Sequence, residues 1–311
     1  RFYEEAIADS QKRYLGTLQN VYSFFVLYAN IENFNPFNHN IPVSERPEID
    51  RWIISRFNHT VEEVRKSLEK YEVVWATEKM EKFVDDLSNW YVRRSRRRFW
   101  TSEGNIDSLS AFLTLYEVLV GTAKLTAPFT PFIAEDIYRN LVCRIDNNAF
   151  ESVHLCDYPV SDERLIDVDL EDRMEFISRV VTLGRAARNE ANLKVRQPLS
   201  EMKVVVSDSF GRNALKDMEH LLQEELNIKS VTAVEDSSSL MRYVAKPNFR
   251  NIGKGPYKAM MPQIKAHLEN VNGNEVKKHL ESGEYVFEID GKPVTLKSEE
   301  VELQALASDE Y

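Results

Sequence analysis

Apolar residues return with a period near 3.6 through most of the first 141 positions. Phe2, Ala6, Leu15, Leu18, Tyr22, Phe25 and Val26 trace one stripe, which predicts a first helix ending at Asn33-Phe34-Asn35-Pro36, where asparagine and proline favour a loop. Pro47 starts a second helix, with Ile49, Trp52, Ile53, Arg56, Phe57, Val61, Val64 and Leu68 along one side. A third runs from about Val73 to Trp100, with Met80, Phe83, Val84, Leu87 and Tyr91 as its core stripe. Ser108 is placed to cap a fourth, carrying Phe112, Leu115, Leu119 and Leu125. Pro128 and Pro131 then interrupt the pattern before a short helix of Phe132, Ile133, Ile137, Tyr138 and Leu141. Helices with such short links predict a bundle.

Beyond Asn147-Asn148 the texture changes. Ser152-Val153-His154-Leu155 reads as a short extended run closed by Pro159, so the boundary is expected between residues 158 and 159. Residues 159–311 then begin with a helix from Leu170 to Leu193. Met202 to Val206 is a strand, Arg212 to Leu226 a helix and Ile228 to Val234 a second strand, an order that predicts two neighbouring parallel strands. Tyr285 to Ile289 and Lys292 to Leu296 flank Asp290-Gly291, a pair that supplies the positive φ angles of a hairpin turn. The expected fold is mainly α: an N-terminal helical bundle (1–158) followed by a smaller α+β domain (159–311).

Composition narrows the function. The 311 residues are 43% hydrophobic with only ten glycines and eleven prolines, which excludes collagen-like and low-complexity chains. A net charge of −10 repels polyanions on average, so any nucleic-acid contact requires a local basic patch. Two cysteines, Cys143 and Cys156, make neither a disulfide framework nor a common zinc pattern, which favours a reducing, cytoplasmic setting. The longest apolar run, about nine residues from Val21 to Ala29, is far short of a membrane span, so a soluble chain is expected. The start Arg1-Phe2-Tyr3-Glu4-Glu5 has no initiator methionine and no leader pattern, and suggests a fragment.

The basic patch is Arg93, Arg94, Arg96, Arg97 and Arg98 on the third helix. None has an Asp or Glu three or four residues away, so the cluster calls for an external polyanion or for acids from another helix. At 100° per residue, Arg94 and Arg98 continue the core stripe and should pair internally. Asn89, Arg93, Arg96, Arg97 and Trp100 share the other face, combining guanidinium forks, an amide and an aromatic plane suited to unpaired RNA bases. A helical protein-interaction scaffold with an internally paired arginine cluster and no RNA ligand stands as the alternative.

The run Asp86-Leu87-Ser88-Asn89-Trp90-Tyr91-Val92-Arg93-Arg94-Ser95-Arg96-Arg97-Arg98-Phe99-Trp100 resembles the signature helix of the anticodon-binding domain in the isoleucyl-tRNA synthetase family, class I aminoacyl-tRNA ligases. Asn20 to Asn30, Asp50-Arg51-Trp52-Ile53-Ile54-Ser55-Arg56, Leu125 to Phe132, Leu183 to Arg188, Lys194 to Leu199 and Lys246-Pro247-Asn248-Phe249-Arg250 are similar to the same family, in its order. The resemblance implies that the bundle grips the anticodon stem-loop of isoleucine tRNA, with Asn89, Trp90, Arg93, Arg96, Arg97 and Trp100 as RNA-binding candidates. It also implies that a full-length ligase, using ATP and Mg2+, joins isoleucine to that tRNA through catalytic and editing domains, which would be partners within the same chain. A monomer is implied as well.

The family's His-Ile-Gly-His-like and Lys-Met-Ser-Lys-Ser-like motifs do not occur here. Lys79-Met80-Glu81-Lys82 sits inside a periodic helix and is read as helix surface and core. The isolated chain is therefore expected to be catalytically silent, without cofactor or metal. Lys246, Asn248, Arg250 and Lys254 form a second candidate, where glycines allow close approach to phosphates, although an ordinary glycine turn explains them equally well. Lys194 and Arg196 are a third, with attraction of cations to a helix C-terminus as the plain alternative.

Overall fold

The first apolar stripe forms α1 (Glu4–Gln11) and α2 (Thr17–Ile31), joined by a π-helical turn at Lys12–Gly16. In this computed structural model residues 3–100, 105–235, 241–253 and 255–307 are described, so Phe2 lies outside them. The chain divides into two compact units, Arg1–Glu175 and Phe176–Tyr311.

In the first unit Pro47 occupies the N-cap of α3 (Glu48–Glu69), where Glu48 and Asp50 complement the helix dipole. The next helix begins as α4 (Val73–Asp85), widens into a π-helical stretch at Asp86–Val92, and passes through α5 (Arg93–Ser95) to a 3-10 turn at Arg96–Phe99. Next come α6 (Ile106–Thr126) and α7 (Pro131–Tyr138). Leu18 and Phe25 of α2, Ile53 and Val61 of α3, Phe83 of α4 and Leu115 and Leu119 of α6 are buried at the centre. A Cβ on Gly121 would lie 2.3 Å from Cζ of Phe57, so only glycine lets α6 approach α3 this closely.

Two local expectations are corrected. Asn105, not Ser108, caps α6: its Oδ1 accepts from the backbone nitrogens of Asp107 (2.6 Å) and Ser108 (3.1 Å), while Ser108 is buried inside the first turn. The run Ser152 to Leu155 is a 3-10 turn at Val153–Leu155 rather than extended chain. The Ser152 hydroxyl accepts from the His154 backbone, and Glu135 holds both the Ser152 hydroxyl and the Val153 backbone nitrogen at 2.9 Å. By length and composition α6 could cross a membrane, a stretch longer than the run at Val21, but 61% of its most apolar window is packed inside the bundle.

The first turns of α8 (Val168–Glu190) are fixed to α3 by buried Glu171. It accepts from the Ser55 hydroxyl (2.5 Å) and from Arg56 (3.0 Å), and lies 2.9 Å from Nδ1 of His59.

In the second unit β1 (Met202–Val205) pairs in parallel with β2 (Val231–Val234), Met202 opposite Val231, as the β-α-β order predicts. The intervening helix is two, α9 (Ser209–Asp217) and α10 (Glu219–Leu226), because Met218 leaves helical geometry at φ −114° to bury its side chain fully. A second core gathers β3 (Met241–Pro247), α11 (Phe249–Ile252), α12 (Met261–Asn270), α13 (Gly273–Glu281), β4 (Glu284–Ile289), β5 (Lys292–Lys297) and β6 (Val301–Ala307). β4 and β5 form the expected hairpin, with Asp290 (φ 50°) and Gly291 (φ 73°) at its turn, while β3 pairs antiparallel with β6.

Candidate nucleic-acid interface

Met80, Phe83, Val84, Leu87 and Tyr91 are all buried, as their spacing requires. The π-helical stretch Asp86–Val92 then alters the phase. Trp90 follows Phe83 by seven residues and so lies within about 20° of it, while the wider turn, which rotates each residue by less than an α-helix does, brings Val92 inward beside Tyr91. Trp90 is only 8% exposed and offers no open ring to a base. Instead it supports the basic segment, with the guanidinium carbons of Arg93 and Arg94 at 5.8 and 5.5 Å from its ring centroid.

Arg98 anchors the end of the helix. Its two terminal nitrogens donate to the two carboxylate oxygens of Asp50 at 2.8 and 2.7 Å, and Asp50 is fully buried. Nε lies 2.9 Å from a carboxylate oxygen of Asp107, and one terminal nitrogen donates to the Asp107 carbonyl at 2.9 Å. The Tyr91 hydroxyl donates to Asp50 at 2.7 Å. Burial, and next the Asp50 charge, push the Tyr91 phenol well above its ordinary value and keep it a donor. Burial alone would lower the Arg98 pKa, but the hydrogen bonds and charge of Asp50 with the Asp107 charge raise it. One arginine thus ties the basic segment to the first turns of both α3 and α6.

The neighbouring arginines point the other way. Arg96 and Arg97 are exposed, and no carboxylate among the described residues pairs with either. Trp100 is 57% exposed while its indole nitrogen donates to the Tyr28 hydroxyl at 2.8 Å, which fixes its orientation and leaves ring surface open. Arg93, half-buried, donates from Nε to the Asn89 carbonyl at 2.8 Å. The exposed Asn89 amide donates to Asp85 at 2.6 Å. Asn89, Arg96, Arg97 and Trp100 therefore present an amide, two cations and an aromatic surface from one helical end. That combination is suited to phosphates and unstacked bases.

The remaining sequence candidates lie in the second unit. Lys194 and Arg196 are exposed on a loop whose backbone is held from within: Arg188 donates to the Lys194 carbonyl at 3.0 Å, and Asn227 to those of Val195 and Arg196 at 3.1 Å. Lys246 is exposed on β3 and donates to Gln304 at 2.7 Å. Asn248 caps α11, its side chain accepting from the backbone nitrogens of Arg250 and Asn251, so its oxygen is committed to the fold. Arg250 is exposed, and Lys254 lies outside the described residues.

Sequence reasoning missed Tyr28, which positions Trp100, and the carboxylates of Asp50 and Asp107, which receive Arg98. Asp50 and Tyr28 stand inside quoted runs, but nothing local marks them as partners of residues on the third helix.

Residues 50–204 match the family model described as the anticodon-binding domain of tRNA ligase. The chain is 44% identical over 300 residues to the isoleucine–tRNA ligase of Clostridium kluyveri, covering 96% of this chain and 28% of that protein. It is 48% identical over 247 residues to that of Dehalococcoides mccartyi strain CBDB1 (79% and 24%), and 40% identical over 311 residues to that of Deinococcus radiodurans (99% and 28%). The chain thus spans about 28% of the length of such curated relatives.

Proposed function

Because the chain belongs to the isoleucine–tRNA ligase family, with the anticodon-binding domain of tRNA ligases at residues 50–204, we propose that it clasps the anticodon stem-loop of isoleucine tRNA. The observation that carries this reading is the split of one arginine cluster. Arg98 is consumed by Asp50, while Arg96 and Arg97 stay exposed beside Trp100. Cations left without carboxylates in a chain of net charge −10 repel one another unless a polyanion meets them.

Arg96 and Arg97 hold backbone phosphates, Trp100 stacks an unpaired base and Asn89 contributes an amide. Trp90 acts beneath them as a support for Arg93 and Arg94. In the second unit, Lys194, Arg196, Lys246 and Arg250 supply phosphate contacts of their own.

In the longer protein the same module positions the tRNA for ligation of isoleucine with ATP and Mg2+, carried out by catalytic and editing regions outside these residues.

Filter binding of isoleucine tRNA and of a methionine tRNA at two salt concentrations tests the proposal. Tighter retention of isoleucine tRNA is expected. Equal retention of both removes the specificity, and no retention at low salt removes the site.

A further inference from the structure

The chain has two cysteines, and the fold of the first unit brings both to one place. Cys143 closes the π-helical turn Arg139–Cys143 that follows α7, and Cys156 comes directly after the 3-10 turn Val153–Leu155. Between them the chain leaves the helix and returns to it. The Cys143 thiol donates to the Phe150 carbonyl at 3.3 Å and the Cys156 thiol to the Ser152 carbonyl at 3.8 Å, so the two sulfurs sit on carbonyls only two residues apart. Glu135 of α7 fixes that short stretch, accepting from the Ser152 hydroxyl and from the Val153 backbone nitrogen, both at 2.9 Å.

A third group joins them. The side chain of Tyr138, the last residue of α7, is buried, with its hydroxyl hydrogen-bonded to Cys156 and close enough to Cys143 to feel its charge. Burial, and next the bond with Cys156, raise the phenol above its ordinary pKa, so it stays a neutral donor beside the two sulfurs. Both cysteines are half-buried, which leaves a small oxidant a path to them while the surrounding backbone holds them in place. The RNA-binding reading uses neither.

We propose that Cys143 and Cys156 form a peroxide-sensitive dithiol site, which closes to an intramolecular disulfide on oxidation and reopens under a thiol reductant. One cysteine, as its thiolate, attacks an oxygen of hydrogen peroxide. The S–O bond forms, the O–O bond breaks, and the departing hydroxide takes up the proton that the thiol gave away. The other thiolate then attacks the sulfenic sulfur, so that the S–S bond forms, the S–O bond breaks and a second hydroxide leaves as water. Two thiols and one peroxide thus give one disulfide and two waters. A dithiol reductant reverses the step through a mixed disulfide and is itself oxidised. The bond ties the last turn after α7 to the 3-10 turn that Glu135 already holds.

The test treats the whole folded chain with one equivalent of hydrogen peroxide and maps its peptides by mass spectrometry without reduction. A monomer is expected that has lost both titratable thiols and yields a peptide pair joined at Cys143 and Cys156, lighter by two hydrogen atoms and restored by dithiothreitol. Cys143→Ser and Cys156→Ser should instead keep a sulfenic acid that dimedone captures, which in the wild type the second thiol removes. The oxidised chain should also melt at a higher temperature than the reduced one, because the bond restrains the unfolded chain. Thiols that stay titratable, equal dimedone labelling of wild type and variants, disulfides between separate chains, or a lowered melt each overturn the pairing. So does a bond that forms only in urea, which would mean that the cysteines meet in the unfolded chain alone.

Discussion

Arg98 and the pair Arg96 and Arg97 lie within one turn of the same helix and meet opposite surroundings. Arg98 has a side chain 13% exposed, seated on a carboxylate that solvent does not reach. Arg96 and Arg97 are exposed and meet no carboxylate among the described residues. The comparison teaches that an arginine cluster in an acidic protein is not one feature. One member is a fastener whose value is structural, and the others stay exposed, open to the ligand proposed above. Substitutions on the two sides should therefore fail in different ways.

The largest expected effect is on the inward side. Asp50→Ala leaves Arg98 and the Tyr91 hydroxyl without their main acceptor, and a broken buried pair costs about 3–5 kcal/mol. Urea unfolding of the wild type and the variant measures it. A loss below about 1 kcal/mol, the range of exposed pairs, would erase the distinction. Trp100→Ala comes next and acts on the outward side. Removing a stacking surface should weaken RNA binding by about 1–3 kcal/mol while unfolding changes by less than about 0.5 kcal/mol. Tyr28→Phe, which deletes only the hydrogen bond orienting Trp100, should weaken binding by about 1 kcal/mol. Equal affinities for Tyr28→Phe and wild type would mean that Trp100 needs no orientation.

The inward half of this contrast was legible in the sequence, because Arg98 continues a stripe of period 3.6 that already contained Leu87 and Tyr91. Its acceptor was not legible. Asp50 lies 48 residues from Arg98 and 41 from Tyr91, and helical spacing carries no information across such separations. Trp90 was legible by the same spacing, since seven residues after Phe83 it falls within about 20° of that buried ring, and it stood among the RNA-binding candidates only through the resemblance. The hairpin at Asp290-Gly291 announced itself through local turn chemistry. The β3–β6 pairing joins segments separated by the helices α11, α12 and α13 and that hairpin, and it left no local signal.

The smallest effect separates the two units by pH. The His267 ring lies 4.0 Å from that of Phe287 in the second unit, and burial lowers its pKa below the ordinary 6.5. Below that value the unfolded chain takes up the proton first, so stability of the second unit falls as pH drops. Thermal melts at about pH 7 and about pH 5 should show this decrease in the wild type and a smaller one in His267→Phe. Identical decreases in the two proteins would remove His267 from the account.

The most direct test of the outward face is the salt dependence of binding to the isoleucine anticodon stem-loop. Plotted as the logarithm of affinity against that of salt concentration, the double variant Arg96→Ala, Arg97→Ala should give a slope shallower than the wild type by about 2, with unchanged unfolding. A slope equal to that of the wild type would show that these arginines touch no phosphate and would contradict the assignment.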